Sequence, residues 1–600
     1  MLKFPYGISD FYKVITEGYF YIDRTDRIRL LEETGPQLLF LRPRRFGKSL
    51  LLAMLENYYD VARANQFEQL FGHLAIGQNP TLLHNQYLVM RWDFSTVLSQ
   101  GSAETIKRAL FDHINDQIQN FGVRYQALLT QPIEIDHDNA LSSFGSVWTA
   151  VQQTPYSLYL MIDEYDNFAN EVLMSSLIDG RKRYEELVLG EGIFKTLFKN
   201  IKAGSAGRGI DRVFITGVSP LVLSDMSSGY NVAENIYLME EFNDLCGFTE
   251  AEVTNTLQKV VQSCNFSTDK FTKDKIEEAL IMMRTFYNGY RFSLHSNELI
   301  YNSTLALYFW KDFQRRCAYP DEMLDNNLAM DRTRIVYVSQ LGGAEQLVLQ
   351  ALNEQEPLTV TTLAQRFGVA EVLAGDKSIE YLAALLYYLG VLTLDGQTPL
   401  RDLILKVPNL VVRGLYVERL RELFLPNWRD QDAGRQAARV LFQTGDLQPL
   451  CDFMQQRYFK VFDNRDYLAA NELTVKTAFL TLLFDDRLYF IDSETTLART
   501  YADLTLIRRP ELRTQPHLLD LVLEFKFVKL KEVERPGQTV QQMSVAELKT
   551  LDKVQEKLGA ARTQVQHYRQ ALESKYGDTL NLHAYAVVAL GFERLVWEEV

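Results

Sequence analysis

Cysteine and histidine are scarce in this 600-residue sequence, and their spacing excludes several kinds of site. The four cysteines lie far apart and form no CxxC pair, so we expect neither a disulfide scaffold nor a thiolate zinc site. The eight histidines show no HExxH or HxxxH spacing, which gives no support to a zinc hydrolase. This use of cysteine fits a reducing compartment, and the predicted location is the cytoplasm.

Long apolar runs and an excess of positive charge are also missing. No apolar run approaches the roughly 18–20 residues that a membrane-spanning helix needs, and residues 1–14 lack the apolar core of a secretory signal. Lysine and arginine total 63 against 77 aspartates and glutamates, a net charge of −14. Because such a chain is no bulk coat for nucleic acid, any contact with nucleic acid must come from a local basic patch.

The hydrophobic fraction of 47% is enough for several cores, and the length predicts roughly four domains. Between residues 37 and 220, short apolar runs alternate with helical stretches, a pattern typical of a doubly wound parallel sheet. The four strand-like runs are 38–41, 88–95, 158–163 and 212–218.

The rest of the chain has a different pattern. A mostly helical region opens with a capping box at Thr249 and Glu252, and within it a helix over 381–396 followed by a two-stranded element at 403–412 predicts a winged helix. The C-terminal part predicts helices to about residue 484, three strands, a long helix over about 545–575 and a last strand at 583–592. The predicted domains are 1–245 (P-loop), 246–340 (helical lid), 341–426 (winged-helix-like) and 427–600 (α/β module).

The first predicted site is a phosphate loop. The strand at 38–41 runs directly into RPRRFGKS (42–49) and then into a helix, the setting that a P-loop needs. Gly47, Lys48 and Ser49 match the end of the GxxxxGK[ST] pattern, whereas Arg42 replaces the first glycine. Backbone N–H groups wrap the phosphates, lysine reaches the β- and γ-phosphate oxygens, and the hydroxyl is a ligand of Mg²⁺. The motif predicts ATP and Mg²⁺ as cofactors, with Arg44, Arg45 and Phe46 also at the nucleotide.

Polar residues at later strand ends complete this prediction. Asp163 and Glu164 end the strand at 158–163, where Asp163 is predicted to hold Mg²⁺ and Glu164 to polarise the attacking water. The alternative is a solvated Asp-Glu pair at a strand end. Thr216, at the end of the next strand, is a candidate sensor of the γ-phosphate. Arg291, in the turn YNGYRF, either contacts phosphate from a lid or belongs to a structural turn.

These motifs resemble the AAA-ATPase-like family, a divergent P-loop group found mostly in prokaryotes. The matching stretches over about residues 5–300 are GISDFYKV, YFYIDRTDRI, FLRPRRFGKSLLL, DFS, MIDEYDN, FITGVSP, LCGFTEAEV and NGYRF. The resemblance implies that a residue other than glycine is tolerated at position 42. It also implies that residues 7–11 and 21–23 lie near the approach of the nucleotide.

A second predicted site is a cluster of carboxylates and a lysine. Asp503 begins one strand, and Glu524 and Lys526 lie two residues apart on the next, so both project from one face. Asp503, Glu524 and the Phe525 carbonyl are hard oxygen ligands suited to Mg²⁺. Lys526 is predicted to orient the water that attacks a phosphodiester and to stabilise the developing charge. The alternative is a Glu–Lys pair on a solvated edge strand.

The order of these residues resembles the PD-(D/E)XK nuclease superfamily, over about residues 450–595. Asp503, Glu524 and Lys526 match its catalytic motif. The resemblance implies that Glu472 is the acidic residue of the first helix and that Gln564 and Tyr568 belong to a QxxxY-like helix that helps to position the phosphate.

The sequence thus predicts a multidomain α/β protein with an N-terminal P-loop sheet, a helical and winged-helix middle, and a C-terminal restriction-endonuclease-like module. The predicted function is an ATP-binding and ATP-hydrolysing protein coupled to a Mg²⁺-dependent nuclease that acts on DNA or RNA, with DNA favoured. Homo-oligomer formation is left open, and no membrane association is expected. The alternative is a nucleotide-gated switch or interaction protein whose C-terminal module binds without cutting.

Overall fold

Two units make up the chain in this computed structural model. The first unit comprises residues 1–318, 337–347 and 358–408, and the second comprises 319–336, 348–357 and 409–600. The predicted four-domain division stays a prediction. The structure describes residues 1–98, 100–167, 186–187, 192–220, 232–264, 269–324, 347, 350–352, 357–364, 378–461, 471–492, 496–497, 500–501 and 503–600.

A five-stranded parallel sheet with the order β2-β3-β4-β1-β5 is the centre of the first unit. Asp93 lies opposite Asp163, and Phe40 lies opposite Thr216, so the carboxyl ends of four strands share one edge. The four predicted strands and their parallel arrangement are confirmed. The strands are β1 (Gln37–Leu41), β2 (Tyr87–Asp93), β3 (Ser157–Asp163), β4 (Ile210–Gly217) and β5 (Glu234–Asn235).

Helices surround this sheet and continue beyond it. The predicted capping box is present, because the Thr249 hydroxyl accepts the N–H of Glu252 at 3.4 Å and the Glu252 carboxylate accepts the N–H of Thr249 at 2.8 Å. The described helices of this unit are α1 (Phe11–Thr16), α2 (Arg27–Thr34), α3 (Lys48–Tyr59), α4 (Phe67–Phe71), α5 (Ala75–Gln78), α6 (Ala103–Arg124), α7 (Ala140–Gln152), α8 (Ile193–Ser205), α9 (Glu250–Gln262), α10 (Asp269–Tyr287), α11 (Ser303–Arg316) and α12 (Ile379–Tyr388).

A small antiparallel sheet with the order β6-β8-β7 completes the first unit. Its strands are β6 (Leu358–Val360), β7 (Thr393–Gln397) and β8 (Leu403–Lys406). The predicted helix over 381–396 is present in part as α12, which ends at Tyr388, and residues 393–396 belong to β7 instead. Of the predicted two-stranded element at 403–412, only β8 is a strand, since residues 410–412 begin the next helix. The winged helix itself stays a prediction, since residues 365–377 lie outside the described part of the chain.

The second unit contains a mixed five-stranded sheet with the order β15-β14-β13-β12-β9. Its central pair, β13 and β14, is parallel, and the other neighbours are antiparallel. The strands, with the hairpin β10–β11, are β9 (Tyr489–Asp492), β10 (Thr496–Leu497), β11 (Thr500–Tyr501), β12 (Leu504–Arg508), β13 (Asp520–Val528), β14 (Leu582–Leu590) and β15 (Arg594–Glu599). The described helices are α13 (Leu410–Phe424), α14 (Trp428–Thr444), α15 (Gln448–Phe453), α16 (Glu472–Leu483), α17 (Gly537–Gln542), α18 (Val545–Lys549) and α19 (Asp552–Tyr576).

One prediction about this sheet, the identity of its last strand, is wrong. The strand at 583–592 is not the last, because β15 follows it and pairs antiparallel, with Val596 opposite Val588. The intervening turn includes Gly591, whose φ of 55° is left-handed. The sequence of β15, RLVWEE, is short and charged at both ends, so its apolar pattern is weak.

One disulfide was not foreseen from the sequence. Cys264 and Cys317, separated by 53 residues, are bonded, with their Cα atoms 5.6 Å apart. Cys264 follows the end of α9, and Cys317 caps the end of α11. Packing of these helices brings the two thiols together, which sequence spacing does not reveal. Among the described residues, no helix is both long and apolar enough to span a bilayer.

A buried ion pair joins neighbouring strands of the second unit. The Asp520 carboxylate accepts the backbone N–H of Arg508 at 2.7 Å and its Nε at 3.0 Å. It also accepts the N–H of Asn581 at 2.8 Å. Because both ionic side chains are buried, each depends on the other for compensation of its charge.

We expect Asp520→Asn to destabilise the second unit by about 3–5 kcal/mol, since it leaves the buried Arg508 without its counter-ion. Hydrogen exchange of the intact chain, followed by mass spectrometry, should show faster exchange in β12 and β13 and unchanged exchange in β1 to β4. Asp432→Asn, on the exposed face of α14, is the matched control. Equal exchange in the two variants would contradict the prediction.

Candidate functional site

The loop at 42–49 connects β1 to α3 and turns through two left-handed residues. The φ angles of Arg45 and Gly47 are 68° and 98°. The Arg45 carbonyl accepts the hydroxyls of Thr304 at 2.9 Å and Ser303 at 3.1 Å, at the start of α11. The Phe46 carbonyl accepts the N–H of Gly247 at 3.0 Å. These contacts fix the loop from the side of the helical region.

Arg42 stands where a standard P-loop has its first glycine, and its side chain is buried. Its guanidinium donates to the carbonyls of Leu41 and Tyr237 at 2.8 Å and of Phe242 at 2.7 Å. It also lies 4.0 Å from the centre of the Phe292 ring. Burial lowers the pKa of Arg42 to about 10. Arg42 is therefore an anchor of the loop, and its backbone is not left-handed, so glycine is not required there.

Lys48 lies under the loop. Its Nζ donates to the carbonyls of Arg42 at 2.9 Å and Pro43 at 3.0 Å. Burial lowers the pKa of the amine, while the negative charges of Glu164 and Asp163 oppose that shift. The loop carbonyls hold this ammonium beside the cavity described next.

A cavity of about 320 Å³ lies over the loop. Residues 45–49 and Glu164 form its polar side. The stretches implied by the family resemblance contribute in part, since Gly7, Ile8, Ser9, Tyr21 and Ile22 line it. The other members of those stretches do not. Phe11 is fully buried in the core, and Asp23 accepts hydrogen bonds from Thr25.

Two arginines near the cavity differ from expectation. Arg44 does not line it, and its guanidinium donates to the amide oxygen of Asn167. Arg24, which the sequence did not single out, does line it and forms an ion pair with Glu252. Its Nε also donates to the Asp244 carbonyl at 2.8 Å. Arg24 thus joins the N-terminal segment to the first turn of α9.

Asp163 and Glu164 have separate environments at the end of β3. Asp163 is buried, and its two oxygens accept the Thr216 hydroxyl at 2.6 Å and the Arg91 Nη2 at 2.8 Å. Glu164 lines the cavity and has a left-handed φ of 49°. Burial raises the pKa of its carboxyl, and the charge of Lys48 lowers it. The alternative of a solvated Asp-Glu pair is therefore wrong for Asp163.

Thr216 and Arg291 are not brought to the cavity. The Thr216 hydroxyl is directed to Asp163, so its geometry is that of a residue that orients this carboxylate. The Arg291 guanidinium donates to the carbonyls of Ser293 at 3.1 Å, Leu294 at 2.6 Å and Asp395 at 3.0 Å. Its contacts are those of the structural turn, which was the alternative.

Arg91 is the second member of a row of alternating charges that starts at Asp163 and that the sequence did not reveal. It lies 3.9 Å from Glu56, which accepts Arg124 at 2.8 Å. Arg124 in turn pairs with the buried Asp60. The row runs alongside α3 from Asp163 at its start to Asp60 at its end.

In the second unit, the predicted carboxylates and lysine meet. Asp503 accepts the backbone N–H of Phe525 at 2.8 Å, and its own N–H lies 3.4 Å from a Glu524 oxygen. Lys526 Nζ donates to Glu524 at 2.9 Å and to Glu472 at 3.2 Å. Glu524 is 2% exposed and β13 is a central strand, so the alternative of a solvated edge strand is wrong.

A fifth residue, Lys476, joins this group. Its buried Nζ lies 3.7 Å from Asp503, one helical turn along α16 from Glu472. We refer to Glu472, Lys476, Asp503, Glu524 and Lys526 as the carboxylate–lysine cluster. Burial, followed by the charge of Asp503, raises the pKa of Glu524 to about 8. If every member were ionised, three carboxylates would face two lysines, and the raised pKa means that Glu524 favours its protonated form at neutral pH.

The helix predicted to assist the cluster contributes differently. Tyr568 is 3% exposed in an apolar core with Ile507 and Val522. Gln564, one turn earlier on α19, is exposed. The packing of Tyr568 accounts for its presence in this helix, and the phosphate-positioning role of both residues stays a prediction.

The donor atoms at both sites fit Mg²⁺. Ser49, Asp163 and Glu164 offer oxygens beside the 42–49 loop, and Asp503, Glu524 and the Phe525 carbonyl do so in the cluster. Burial favours the protonated form of Glu524, so a divalent cation that binds there would have to displace this proton. Within the described ranges, no group of three or more His, Cys, Asp or Glu side chains is arranged to hold a metal ion. A metal in the cluster would therefore depend on the Phe525 carbonyl as well.

Comparisons with known proteins found similar sequences and similar solved structures. A curated relative, described as an uncharacterized protein in the vnfD 5′ region of Azotobacter chroococcum mcd 1, is 26% identical over 464 residues, which cover 75% of this chain and 74% of that protein. Among solved structures, the Walker-type ATPase PABY2304 of Pyrococcus abyssi is similar with a TM-score of 0.36 and 16% identity, covering 66% of this chain and 96% of that one.

Two further solved structures are similar at lower scores. The Aeropyrum pernix ORC1 protein in complex with DNA has a TM-score of 0.24 and 12% identity, and the match covers 68% of this chain and 96% of that one. Cdc6p from Pyrobaculum aerophilum has a TM-score of 0.25 and 12% identity, and the match covers 68% of this chain and 98% of that one. Residues 5–227 match the model of the AAA-ATPase-like family, described as a predicted AAA-ATPase. The first unit therefore contains an ATPase-like P-loop domain.

Proposed function

We propose that the first unit binds ATP and hydrolyses it to ADP and phosphate. The observation that carries the proposal is the meeting of the loop, the Lys48 ammonium and the Glu164 carboxylate around one cavity. The cavity also has apolar walls at Ile8, Phe20 and Phe248, which suit a purine base. Loop, lysine and carboxylate are the groups that phosphoryl transfer to water requires.

Each group has a distinct role. The backbone N–H groups at 44–47 and the start of α3 hold the phosphates, and Lys48 exchanges its carbonyl partners for phosphate oxygens. Ser49 and Asp163 hold Mg²⁺, which neutralises phosphate charge when bound. Glu164 orients the attacking water and accepts its proton, and Thr216 keeps Asp163 in place.

We expect Lys48→Ala to weaken ATP binding by at least about tenfold, or about 1.4 kcal/mol, because a buried cation facing the phosphates is lost. Isothermal titration calorimetry with ATP and Mg²⁺ measures this change. Lys107→Ala, on the exposed side of α6, is the matched control. Glu164→Gln should keep the affinity and lose phosphate release. Unchanged affinity in Lys48→Ala would overturn the proposal, whereas wild-type binding without turnover would favour the nucleotide-gated switch.

We further propose that the second unit cleaves nucleic acid, with DNA favoured over RNA, and that the nucleotide state of the first unit governs cleavage. The carboxylate–lysine cluster supports this function because two adjacent buried carboxylates and a lysine are the groups that metal-assisted phosphodiester hydrolysis uses. Asp503, Glu524 and the Phe525 carbonyl, which now accepts Lys526 Nζ at 2.9 Å, would hold Mg²⁺, and the bound ion would polarise the scissile phosphate. Lys526 orients the water and stabilises the charge that develops on phosphate, and Glu472 fixes the position of Lys526.

We expect Lys526→Ala to reduce cleavage by about 10²–10³-fold, since the charge-stabilising group is removed. The assay uses plasmid and single-stranded DNA with Mg²⁺ or Mn²⁺, with and without ATP. Lys553→Ala, exposed on α19, is the control. Equal cleavage by Lys526→Ala and wild type would remove the nuclease proposal. Nucleic-acid binding without any cleavage would favour the switch.

The pH dependence of stability tests the buried carboxylate pair directly. Burial raises the pKa of Glu524 from 4.5 to about 8, so the folded state binds this proton more tightly than the unfolded chain does. Stability of the metal-free second unit should therefore fall as pH rises from 4.5 to 8. Hydrogen exchange in β13, corrected for intrinsic rates, reports the trend. Glu524→Gln should flatten it, the exposed Glu534→Gln should not, and an unchanged slope in Glu524→Gln would contradict the assignment.

A further inference from the structure

A second cavity, of about 410 Å³, lies within the second unit. It adjoins the C-terminal end of α16, the helix whose N-terminal end carries Glu472. Its apolar walls include Leu415, Phe442 and Phe484. This volume is in the range of sites that enclose a small organic ligand, and flat apolar walls suit a ring.

Two arginines give this cavity a positive side. Arg435 and Arg439 line it from α14 and lie four residues apart, so they share one face of the helix. Neither forms an ion pair with the residues that the structure describes. A third guanidinium, that of Arg421, donates to the carbonyls of Thr481 at 2.7 Å and Phe484 at 3.3 Å. Burial lowers the pKa of Arg421, the negative charge of Glu418 opposes that shift, and the positive charge of Arg435 adds to it. Arg421 is therefore already engaged, which leaves Arg435 and Arg439 as the guanidinium groups for a ligand.

Carboxyl groups also line the cavity. Asp485 is paired with Arg487 at 3.2 Å. Burial, followed by the charge of Asp485, raises the pKa of Asp486 to about 6. Glu322 and Glu418 also line the cavity. The lining therefore offers a ligand both guanidinium donors and carboxyl acceptors.

We propose that this cavity binds a nucleoside monophosphate, with the phosphate on Arg435 and Arg439 and the base between the apolar walls. Two guanidinium groups that have no ion pair within the described part of the chain match one phosphate dianion. The amino and imino groups of a base are hydrogen-bond donors that suit the carboxyl groups of the lining. A triphosphate would bring additional negative charge toward four carboxyl groups, and inorganic phosphate alone would leave the apolar walls unused.

The position of the site connects it to α16. Arg421, which lines the cavity, hydrogen-bonds carbonyls at and just beyond the C-terminal end of that helix. The same helix carries Glu472 and Lys476 of the carboxylate–lysine cluster. Binding is independent of whether the cluster cleaves nucleic acid, so this inference does not rest on the proposed nuclease.

The test is calorimetric titration of the full chain carrying Lys48→Ala, which weakens the site in the first unit. The probes are AMP, GMP, CMP and UMP, with adenosine, guanosine and inorganic phosphate titrated separately. We expect saturable binding of at least one monophosphate, at least tenfold tighter than its nucleoside or phosphate alone. Arg435→Ala with Arg439→Ala should weaken it by a further tenfold or more. Arg429→Ala, on the same helix but outside the cavity, is the matched control.

Three outcomes would overturn the inference. The first is no saturable binding of any monophosphate, and the second is equal affinity for phosphate alone. The third is binding that the double arginine variant leaves unchanged, which would place the ligand elsewhere. Because Arg435 and Arg439 are exposed, the double variant is expected to fold, and circular dichroism checks this. In support of the site, a bound monophosphate should slow hydrogen exchange at residues 471–484 in wild type and not in the double variant.

Discussion

The buried guanidinium of Arg42 determines where the loop between β1 and α3 can lie. A buried charge without acceptors would cost several kcal/mol, and here backbone carbonyls from Leu41 and from residues 237–243 accept its hydrogen bonds. These contacts fix the start of the loop against a distant part of the chain. The Arg42 carbonyl then accepts Lys48, so one residue orients both the loop and its ammonium group.

In the second unit, side chains instead of backbone carbonyls compensate the cost of burying charge. Asp503 and Glu524 are close enough to repel one another, and the lysines at 476 and 526 compensate them only in part. The protonated form of Glu524 relieves this repulsion, and a bound cation would favour the ionised form instead.

Strong local patterns made much of this architecture predictable. The buried strands β1 to β4 contain apolar runs that are visible in the sequence. The two-residue period of a strand likewise predicts that Glu524 and Lys526 lie on one face. Arg24, Arg91 and Lys476 were missed because their partners are distant in sequence and only packing brings them together. Thr216 was placed at the correct strand end, but its hydroxyl is directed to Asp163, and sequence spacing cannot give that direction. The Cys264–Cys317 bond was missed for the same reason.

The outer strand β15 affects how this protein can associate with other chains. A strand at the edge of a sheet exposes unpaired backbone groups that can template intermolecular β-pairing and aggregation. Here Glu598 pairs with Arg562, and Glu599 pairs with His583 at 2.6 Å. The backbone N–H of Leu595 on β15 donates to the amide oxygen of Gln455 at 2.8 Å, so part of the outer backbone of this strand already has a partner. This side-chain contact and the charges of Glu598 and Glu599 discourage a further strand from adding to the sheet.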